Sequence, residues 1–279
     1  MPELPELQAH AERLDAWLAG ATLERFTPLT FTALKTAVPP PEAAVGATLD
    51  AVGRRGKHLL LRTEPLVFVV HLMQGGRLKV DTGKAARPRG GLARWTFSGG
   101  RNLLLTEAGK EHRAGVWTAP PDQVETRPPL SELGPEADQV EPDELLALLH
   151  AHPMRLHGFL RDQRLVAGLG RRLANEVCHR ARLSPFASTA KLGADEAARV
   201  VKAIHDAVEE GLAVERTRDD MSASKERPGR VHGRAGQACE VCGDTVRAVE
   251  YATYTVAYCP TCQTGGKVLA DNTTSKFLK

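Results

Sequence analysis

The sequence predicts an α+β protein of several domains: a strand-rich sandwich with a leading helix, then a helical domain, then a small β-hairpin held by cysteines. Short apolar runs separated by Gly, Pro and Asp turns fill residues 22–119. After residue 141 the apolar positions recur with a helical period. Two Cys-x-x-Cys pairs follow near the end of the 279-residue chain. That length is sufficient for two domains and a small module.

The first predicted element is a helix over residues 3–19, which ends at the stop signal Gly20. Its apolar face is formed by Leu4, Leu7, Ala11, Leu14 and Leu18. Strands are expected at residues 58–62, 66–70 and 102–105, among other short apolar runs. These elements predict a β-sandwich domain, led by one helix, over residues 1–119.

The second half of the chain is predicted to be helical. Residues 120–140 are rich in Pro, Glu and Asp and show no period, which predicts a linker. Four helical patterns follow, at residues 141–152, 154–162, 171–182 and 194–213. Gly168 and Gly170 lie between two of them, where glycine lets the backbone approach another group closely. We therefore predict a helical domain over 141–228 and a hairpin module over 229–279.

The four cysteines of the hairpin module predict a zinc site. Cys239 and Cys242 form one pair, Cys259 and Cys262 the other, and sixteen residues separate the pairs. This spacing is typical of a tetrahedral site with four thiolate ligands, which leaves no coordination position for a substrate. Disulfides are the alternative, but no secretory signal precedes the first helix. We therefore expect one structural Zn²⁺ and a cytoplasmic, nucleoid-associated location of bacterial type.

The distribution of charge favours a polyanionic partner. The net charge is only +3, but seven arginines lie between residues 155 and 182, opposed only by Asp162 and Glu176. A second basic run, residues 225–234, leads into the hairpin module. Basic helix faces exposed to solvent are the alternative explanation. Two basic tracts beside a zinc hairpin point instead to a phosphate backbone.

The chain begins Met1-Pro2-Glu3, and removal of Met1 would leave Pro2 with a free secondary amine. An α-amino group titrates near ~8, so part of it is neutral and nucleophilic at neutral pH. Attack of a secondary amine on a sugar aldehyde carbon gives a cationic iminium, which can drive β-elimination. Glu3 is close enough to move the protons that this reaction requires. Proline and acidic residues are also ordinary signals for the start of a helix.

These features together resemble the formamidopyrimidine-DNA glycosylase/endonuclease VIII family. The similar motifs are MPELPE at 1–6, GRRGKHLLL at 53–61, HLMQGG at 71–76, LGPE at 133–136, GLGRRLANE at 168–176 and VHGR at 231–234. The resemblance implies three catalytic residues: Pro2 is the Schiff-base nucleophile, Glu3 is the proton donor, and Lys57 contacts the phosphate beside the lesion and assists elimination. It also implies a helix–two-turn–helix that clamps damaged double-stranded DNA. With one clamp per lesion, we expect the protein to be a monomer.

The chain departs from the family pattern around the DNA lesion. Tyr254 stands five residues before the third cysteine, where the family carries a phosphate-binding arginine. A tyrosine can donate one hydrogen bond or stack on a base, so we expect Tyr254 to bind DNA. Arg171 replaces an asparagine that binds phosphate, and we expect it to bind DNA too, because it keeps a phosphate donor. The loop that would intrude into the DNA lacks its aromatic residue, and Arg113 and His112 are the candidates to replace it. In the 71–76 loop, Met73 and Gln74 are both candidates to enter the base stack.

The sequence therefore predicts a bifunctional DNA glycosylase/AP lyase of base excision repair that acts on damaged, oxidised bases. The first alternative is a damaged-DNA-binding paralogue with weakened catalysis. The second is a zinc-hairpin protein that acts on RNA or on a protein partner.

Overall fold

The computed structural model describes residues 1–83, 85–86, 88–108, 113–221, 226–227 and 229–269. His112 lies outside the described residues. The chain divides into two compact units, Met1–Leu133 with Glu215–Ala223, and Gly134–Val214 with Ser224–Lys279. Among the described residues, no helix has both the length and the apolar character needed to cross a bilayer.

The leading helix of the first unit is α1, Leu4–Leu18. Glu3 is its N-cap and Pro5 lies in its first turn, where a missing N–H costs nothing. All five predicted apolar positions are buried, and the backbone of Gly20 is left-handed, with φ of 78°. The predicted helix and its stop signal are thus confirmed.

The described strands of the first unit form two four-stranded antiparallel sheets, ordered β1-β6-β7-β5 and β2-β3-β4-β8. Their bounds are β1 Leu23–Pro28, β2 Leu49–Arg55, β3 His58–Thr63, β4 Val67–His71, β5 Gly76–Asp81, β6 Gly91–Phe97, β7 Arg101–Glu107 and β8 Gly115–Ala119. Phe68 of one sheet lies 5.5 Å from Phe26 and 5.8 Å from Trp95 of the other, between ring centroids. This buried aromatic cluster joins the two sheets face to face, so the predicted sandwich is confirmed.

Helix α1 packs along β2 and so fixes where its own start lies. The Asp15 carboxylate accepts the N–H of Val52 at 2.7 Å, and the Gln8 side chain accepts Nε of Arg54 at 3.2 Å. Helix α1 and strand β2 therefore run in opposite directions. The start of α1 consequently lies toward the β2–β3 turn, which carries Lys57.

The second unit is helical and ends in the hairpin. The helices are α2 Pro142–Ala151, α3 Leu156–Arg161, α4 Arg171–Arg180 and α5 Ala194–Arg216; the hairpin strands are β9 Arg247–Glu250 and β10 Thr255–Tyr258, followed by α6 Pro260–Thr264. The first three predicted helical segments contain α2, α3 and α4, and α5 begins where the fourth was predicted but extends three residues beyond its predicted end. The predicted helical domain and hairpin are thereby confirmed.

The segment between β8 and α2 makes buried or hydrogen-bonded contacts on either side of residue 133, each part within its own unit. Val124 and Leu130 belong to a buried apolar cluster of the first unit. Beyond residue 133, the N–H of Gly134 donates to the Gln163 carbonyl at 2.9 Å, and that of Ala137 to the Ala167 carbonyl at 3.0 Å. The segment is therefore ordered both before and after residue 133, where the first unit ends and the second begins.

Candidate active site and nucleic-acid interface

The start of α1 forms a buried acidic site beside Pro2. Pro2 is buried, Glu3 is 3% exposed and Glu6 is fully buried, while Met1 is 43% exposed. The Glu6 carboxylate accepts the backbone N–H of Glu3 at 2.8 Å. This hydrogen bond fixes the backbone that leads to Pro2, because it ties the N-cap residue to the first turn of the helix.

Lys57 lies in the tight turn between β2 and β3, and its side chain is 4% exposed. The preceding Gly56 has φ of 54°, and its carbonyl accepts Nη1 of Arg54 at 3.0 Å. The turn thus places a buried ammonium group at the end of the strand pair. Together with burial, its charge lowers the pKa of the two neighbouring histidines, His58 and His71.

Two histidines pair across β3 and β4 next to Lys57. His58 and His71 are cross-strand partners, and their ring centroids are 4.6 Å apart. Burial lowers the pKa of His58 to about 3, helped by the neighbouring His71, Arg55 and Lys57. Burial and the Lys57 charge lower the pKa of His71 to about 4. Both rings are therefore neutral at neutral pH and add no charge to the site.

Acid is expected to destabilise the first unit through these histidines. An unfolded histidine titrates near ~6.5, so below that pH the unfolded chain binds protons that the folded chain does not. Each buried ring then costs up to about 1.4 kcal/mol of unfolding free energy per pH unit, down to its folded pKa. Denaturant titrations at about pH 7.5 and about pH 5 should show the loss. His71→Asn should reduce the pH dependence, whereas replacing the exposed His205 by alanine should leave it unchanged.

The loop after β4 contains both candidates for the base stack. Met73 is half-buried and has a left-handed backbone, with φ of 51°, whereas Gln74 is exposed. The N–H of Gly76 donates to the Leu72 carbonyl at 2.8 Å, and a Cβ at Gly76 would collide with that oxygen. The turn therefore requires glycine here. Which of the two side chains enters the stack stays a prediction.

Arg113 follows the part of the chain that is not described and is itself exposed. The next residue, Ala114, donates its N–H to the buried Glu107 carboxylate at 2.8 Å. This bond holds the base of the loop against β7. Arg113 is thus presented at the surface of the first unit from an anchored position.

The four predicted metal ligands converge in the second unit. The Sγ atoms of Cys239, Cys242, Cys259 and Cys262 lie within 4.8 Å of one another, and none of the four forms a disulfide. Two of the Sγ–Sγ distances are 3.9 Å and 3.3 Å. A tetrahedron with Zn–S bonds of about 2.3 Å needs about 3.8 Å between sulfurs. The cluster therefore fits one metal ion with four thiolate ligands.

His179 of α4 contacts this cluster, although no sequence motif marks it as part of the metal site. Its Nε2 lies 3.4 Å from Sγ of Cys239, and the ring is 3% exposed. A ring N–H that donates to a metal-bound thiolate holds that ligand in place. Only the position of His179 on α4 could have suggested this, since the contact joins residues far apart in sequence.

Helix α4 also anchors the segment that leads into the hairpin. The buried Glu176 carboxylate accepts the backbone N–H groups of Arg230, Val231 and His232 at 2.9, 3.1 and 2.9 Å. Burial opposes ionisation of Glu176, but these three hydrogen bonds and the Arg172 charge outweigh it and lower the pKa of the carboxyl. Asn175 binds the hairpin itself, since its side-chain oxygen accepts the N–H of Ala257 at 3.2 Å.

Tyr254 and Arg171 meet at the end of the hairpin. Residues 251–254, which we call the hairpin tip, are closed by a 2.9 Å bond from the Tyr251 N–H to the Tyr254 carbonyl. Nη1 of Arg171 donates to the Thr253 carbonyl at 2.7 Å. These two predicted DNA-binding residues thus belong to one local structure. Pro2, Glu3, Lys57, Met73, Gln74 and Arg113 lie in the first unit, and Arg171, Tyr254 and the four cysteines in the second.

Comparison with known proteins agrees with this architecture. Residues 1–110 match the family described as formamidopyrimidine-DNA glycosylase N-terminal domain, and residues 133–222 match the formamidopyrimidine-DNA glycosylase H2TH domain. The chain is 32% identical to the formamidopyrimidine-DNA glycosylase of Symbiobacterium thermophilum over 94% of this chain and 89% of that protein. It is 42% identical to an uncharacterised formamidopyrimidine-DNA glycosylase-like protein of Mycobacterium tuberculosis, over 53% of this chain and 94% of that one.

The fold is also found in a solved structure of a DNA complex. The Lactococcus lactis Fpg protein, bound to DNA containing N7-benzyl-Fapy-dG, superposes with a TM-score of 0.85 at 21% identity, covering 94% of this chain and all of that one. Fold and matched domains define a DNA glycosylase with a helix–two-turn–helix domain. More specifically, the chain belongs to the formamidopyrimidine-DNA glycosylase family.

Proposed function

We propose that the chain is a bifunctional DNA glycosylase and AP lyase that excises oxidised bases from duplex DNA through a Schiff base on Pro2. The observation that carries the proposal is the start of α1, where Pro2 and Glu3 are buried together in a domain that matches the family. A secondary amine beside a shielded carboxyl group is suited to attack on C1′ and to the proton transfers that follow.

The reaction begins after Met1 is removed and the damaged nucleotide is extruded from the duplex, since C1′ cannot be reached inside the stack. The Pro2 nitrogen forms a bond to C1′, and the base leaves with the electron pair of the glycosidic bond. Glu3 supplies the proton that the departing base needs. The attacking nitrogen then loses its proton, O4′ gains one, and opening of the sugar ring leaves a cationic iminium at C1′. Loss of a C2′ proton then expels the 3′ phosphate oxygen, which nicks the strand.

Lys57 contacts the phosphate beside the lesion and assists its elimination. Met73, Gln74 and Arg113 contact the space that the extruded base leaves. We assign the four-cysteine cluster to one zinc ion, which stiffens the hairpin and performs no chemistry because all its ligands are cysteines. The DNA-bound structures of the Lactococcus lactis protein support damaged duplex DNA as the partner. We propose that one monomer binds each lesion.

One observation favours a second candidate, a damaged-DNA-binding protein with weakened strand cleavage. Tyr254 stands where the family carries an arginine, and a tyrosine lacks the charge and the paired N–H donors that suit phosphate. A poorly held phosphate would slow elimination more than binding.

Trapping with borohydride tests the proposal. Zinc-loaded protein, shown by mass spectrometry to begin at Pro2, is mixed with duplex DNA that carries an aldehydic abasic site. We expect a covalent adduct after reduction of the iminium. The same protein with extra residues before Pro2 serves as control and should give none, because its nitrogen is an amide. Protein that binds this DNA without forming an adduct would refute the Schiff-base mechanism, whereas protein that forms the adduct but leaves the strand uncut would favour the second candidate. Incision across a panel of oxidised pyrimidines, formamidopyrimidines and 8-oxoguanine then identifies the lesion.

A further inference from the structure

The hairpin tip packs against arginines of the helical part of the second unit. The rings of Tyr251 and Tyr254 stack at 4.6 Å with an angle of 11° between their planes. Cζ of Arg161, the last residue of α3, lies 4.0 Å from the centroid of the Tyr254 ring. That is well within the range of a cation–π contact. The Tyr254 ring at the hairpin tip therefore contacts the guanidinium group of Arg161, which belongs to α3.

Two further guanidinium groups reach the same tip. Nη1 of Arg155 donates to the Tyr251 hydroxyl at 3.1 Å, and Arg171 donates to the Thr253 carbonyl, as described above. We call Arg155, Arg161 and Arg171 the guanidinium cluster. Three positive charges at one short turn repel each other unless an anion lies between them.

The cluster differs from other arginines of the second unit in its lack of acidic partners. Arg164, Arg180 and Arg199 pair with Asp162, Glu210 and Glu196, respectively. In the part of the chain that the structure describes, no carboxylate forms an ion pair with Arg155, Arg161 or Arg171. His157, whose ring lies parallel to Tyr254 at 6.0 Å, adds no charge, because burial and the nearby Arg161 lower its pKa to about 3.

The geometry of Arg161 suits it to a phosphate. A cation–π contact uses the flat face of the guanidinium and leaves the N–H groups in its plane able to donate. Among the described residues, the Arg161 guanidinium makes no hydrogen bond to protein. Two parallel N–H donors match two phosphate oxygens. The Tyr254 ring, which we call the aromatic seat of Arg161, fixes the orientation of these donors before the anion binds.

We propose that Arg161, held on the face of Tyr254, is the phosphate-binding residue at the hairpin tip, and that Arg171 supplies a second donor. The charge that the family places on the hairpin is then carried by α3, and Tyr254 positions it. This inference rests on the proposed function in so far as the phosphate belongs to DNA. It also explains how a tyrosine can occupy position 254 without loss of charge at the tip.

Salt-dependent binding tests the inference. Fluorescence anisotropy measures the affinity of zinc-loaded protein for a duplex with a tetrahydrofuran abasic analogue, which cannot form an imine, across a series of salt concentrations. Arg161→Ala should weaken binding about tenfold and reduce the slope of log K against log salt by about 1. Arg199→Ala removes the same charge from α5 and should change neither quantity.

Variants of the aromatic seat separate its role from that of the charge. Tyr254→Ala should weaken binding without reducing the salt slope by a full unit, and Tyr254→Phe, which keeps the ring, should lose less affinity than Tyr254→Ala. In the double variant, Arg161→Ala with Tyr254→Arg, we expect most of the lost affinity to return. Circular dichroism and zinc content check that each variant is folded.

Unchanged affinity and salt slope in folded Arg161→Ala would overturn the inference, and so would failure of the double variant to regain affinity. The proposed function fails separately, when the parent protein gives no borohydride adduct. A parent protein that forms the adduct while Arg161→Ala binds normally refutes only the role of Arg161. A parent protein without adduct whose binding still depends on Arg161 refutes only the enzymatic proposal.

Discussion

Glutamine in place of Glu3 is expected to lower the rate of base release by at least about 100-fold, the usual contribution of a general acid or base. Glutamine keeps the size of the side chain and an acceptor oxygen, but it has no proton to give to the departing base. Water is a poor substitute, because residue 3 is only 3% exposed. Pro2 is unchanged, so its amine should still condense with DNA whose base has already been lost.

The Glu3→Gln variant therefore separates the two halves of the reaction. Chromatography of the released base measures the first half, and the borohydride adduct with aldehydic abasic DNA measures the second. Glu12→Gln is the matched control, since Glu12 lies on the same helix in an exposed ion pair with Arg216. It should leave both measurements unchanged. Base release at the parental rate, or equal loss of both activities in folded protein, would contradict the role assigned to Glu3.

Much of the fold could be predicted because apolar spacing reports which face of each element is buried. The face of α1 follows directly from its leucines. The predicted helix at residues 154–162 shows where such reasoning stops. It was predicted from residue 154 but begins at Leu156. Met154 and Arg155 instead bond with residues 188 and 189, the Met154 N–H donating to the Thr189 hydroxyl at 2.9 Å. A partner more than thirty residues away leaves no local signal.

Some residues of the candidate site could be predicted from short sequence segments, whereas others depend on contacts between distant residues. The cysteines and Pro2 could be found from sequence, because metal spacing and a terminal amine are properties of short segments. The contact of His179 with Cys239 and the seat of Arg161 on Tyr254 join residues 60 and 93 positions apart. The sequence predicted that Tyr254 would bind DNA; its ring contacts Arg161 and Tyr251 within the protein. Loss of charge at one position therefore says little until its neighbours in space are known.

Removal of the metal is expected to unfold the hairpin and to abolish tight DNA binding. The hairpin has two four-residue strands, and a hairpin of two strands is at best marginally stable in water. Its own apolar cluster consists of Val231, Val246 and Ala257 with three of the cysteines. A structural zinc ion contributes on the order of 10–16 kcal/mol of apparent free energy in zinc-finger peptides. The cluster cannot replace that contribution, so Cys259→Ser, which removes a buried ligand, should release the metal.

Loss of the metal should also weaken DNA binding, because the hairpin tip contacts the arginines of the guanidinium cluster. Without an ordered hairpin, Tyr254 no longer holds Arg161, and Arg171 loses its partner at Thr253. We expect Cys259→Ser, or the parent protein after chelation, to bind abasic-analogue DNA at least about 100-fold more weakly, since several phosphate contacts are lost together. Metal analysis should give one zinc ion per parent chain and none in the variant. Cys178→Ala is the control, because Cys178 is fully buried in α4, outside the cluster, and should keep the metal. Metal-free protein that retains parental affinity would show that the hairpin orders itself, and the structural role of the cysteines would be wrong.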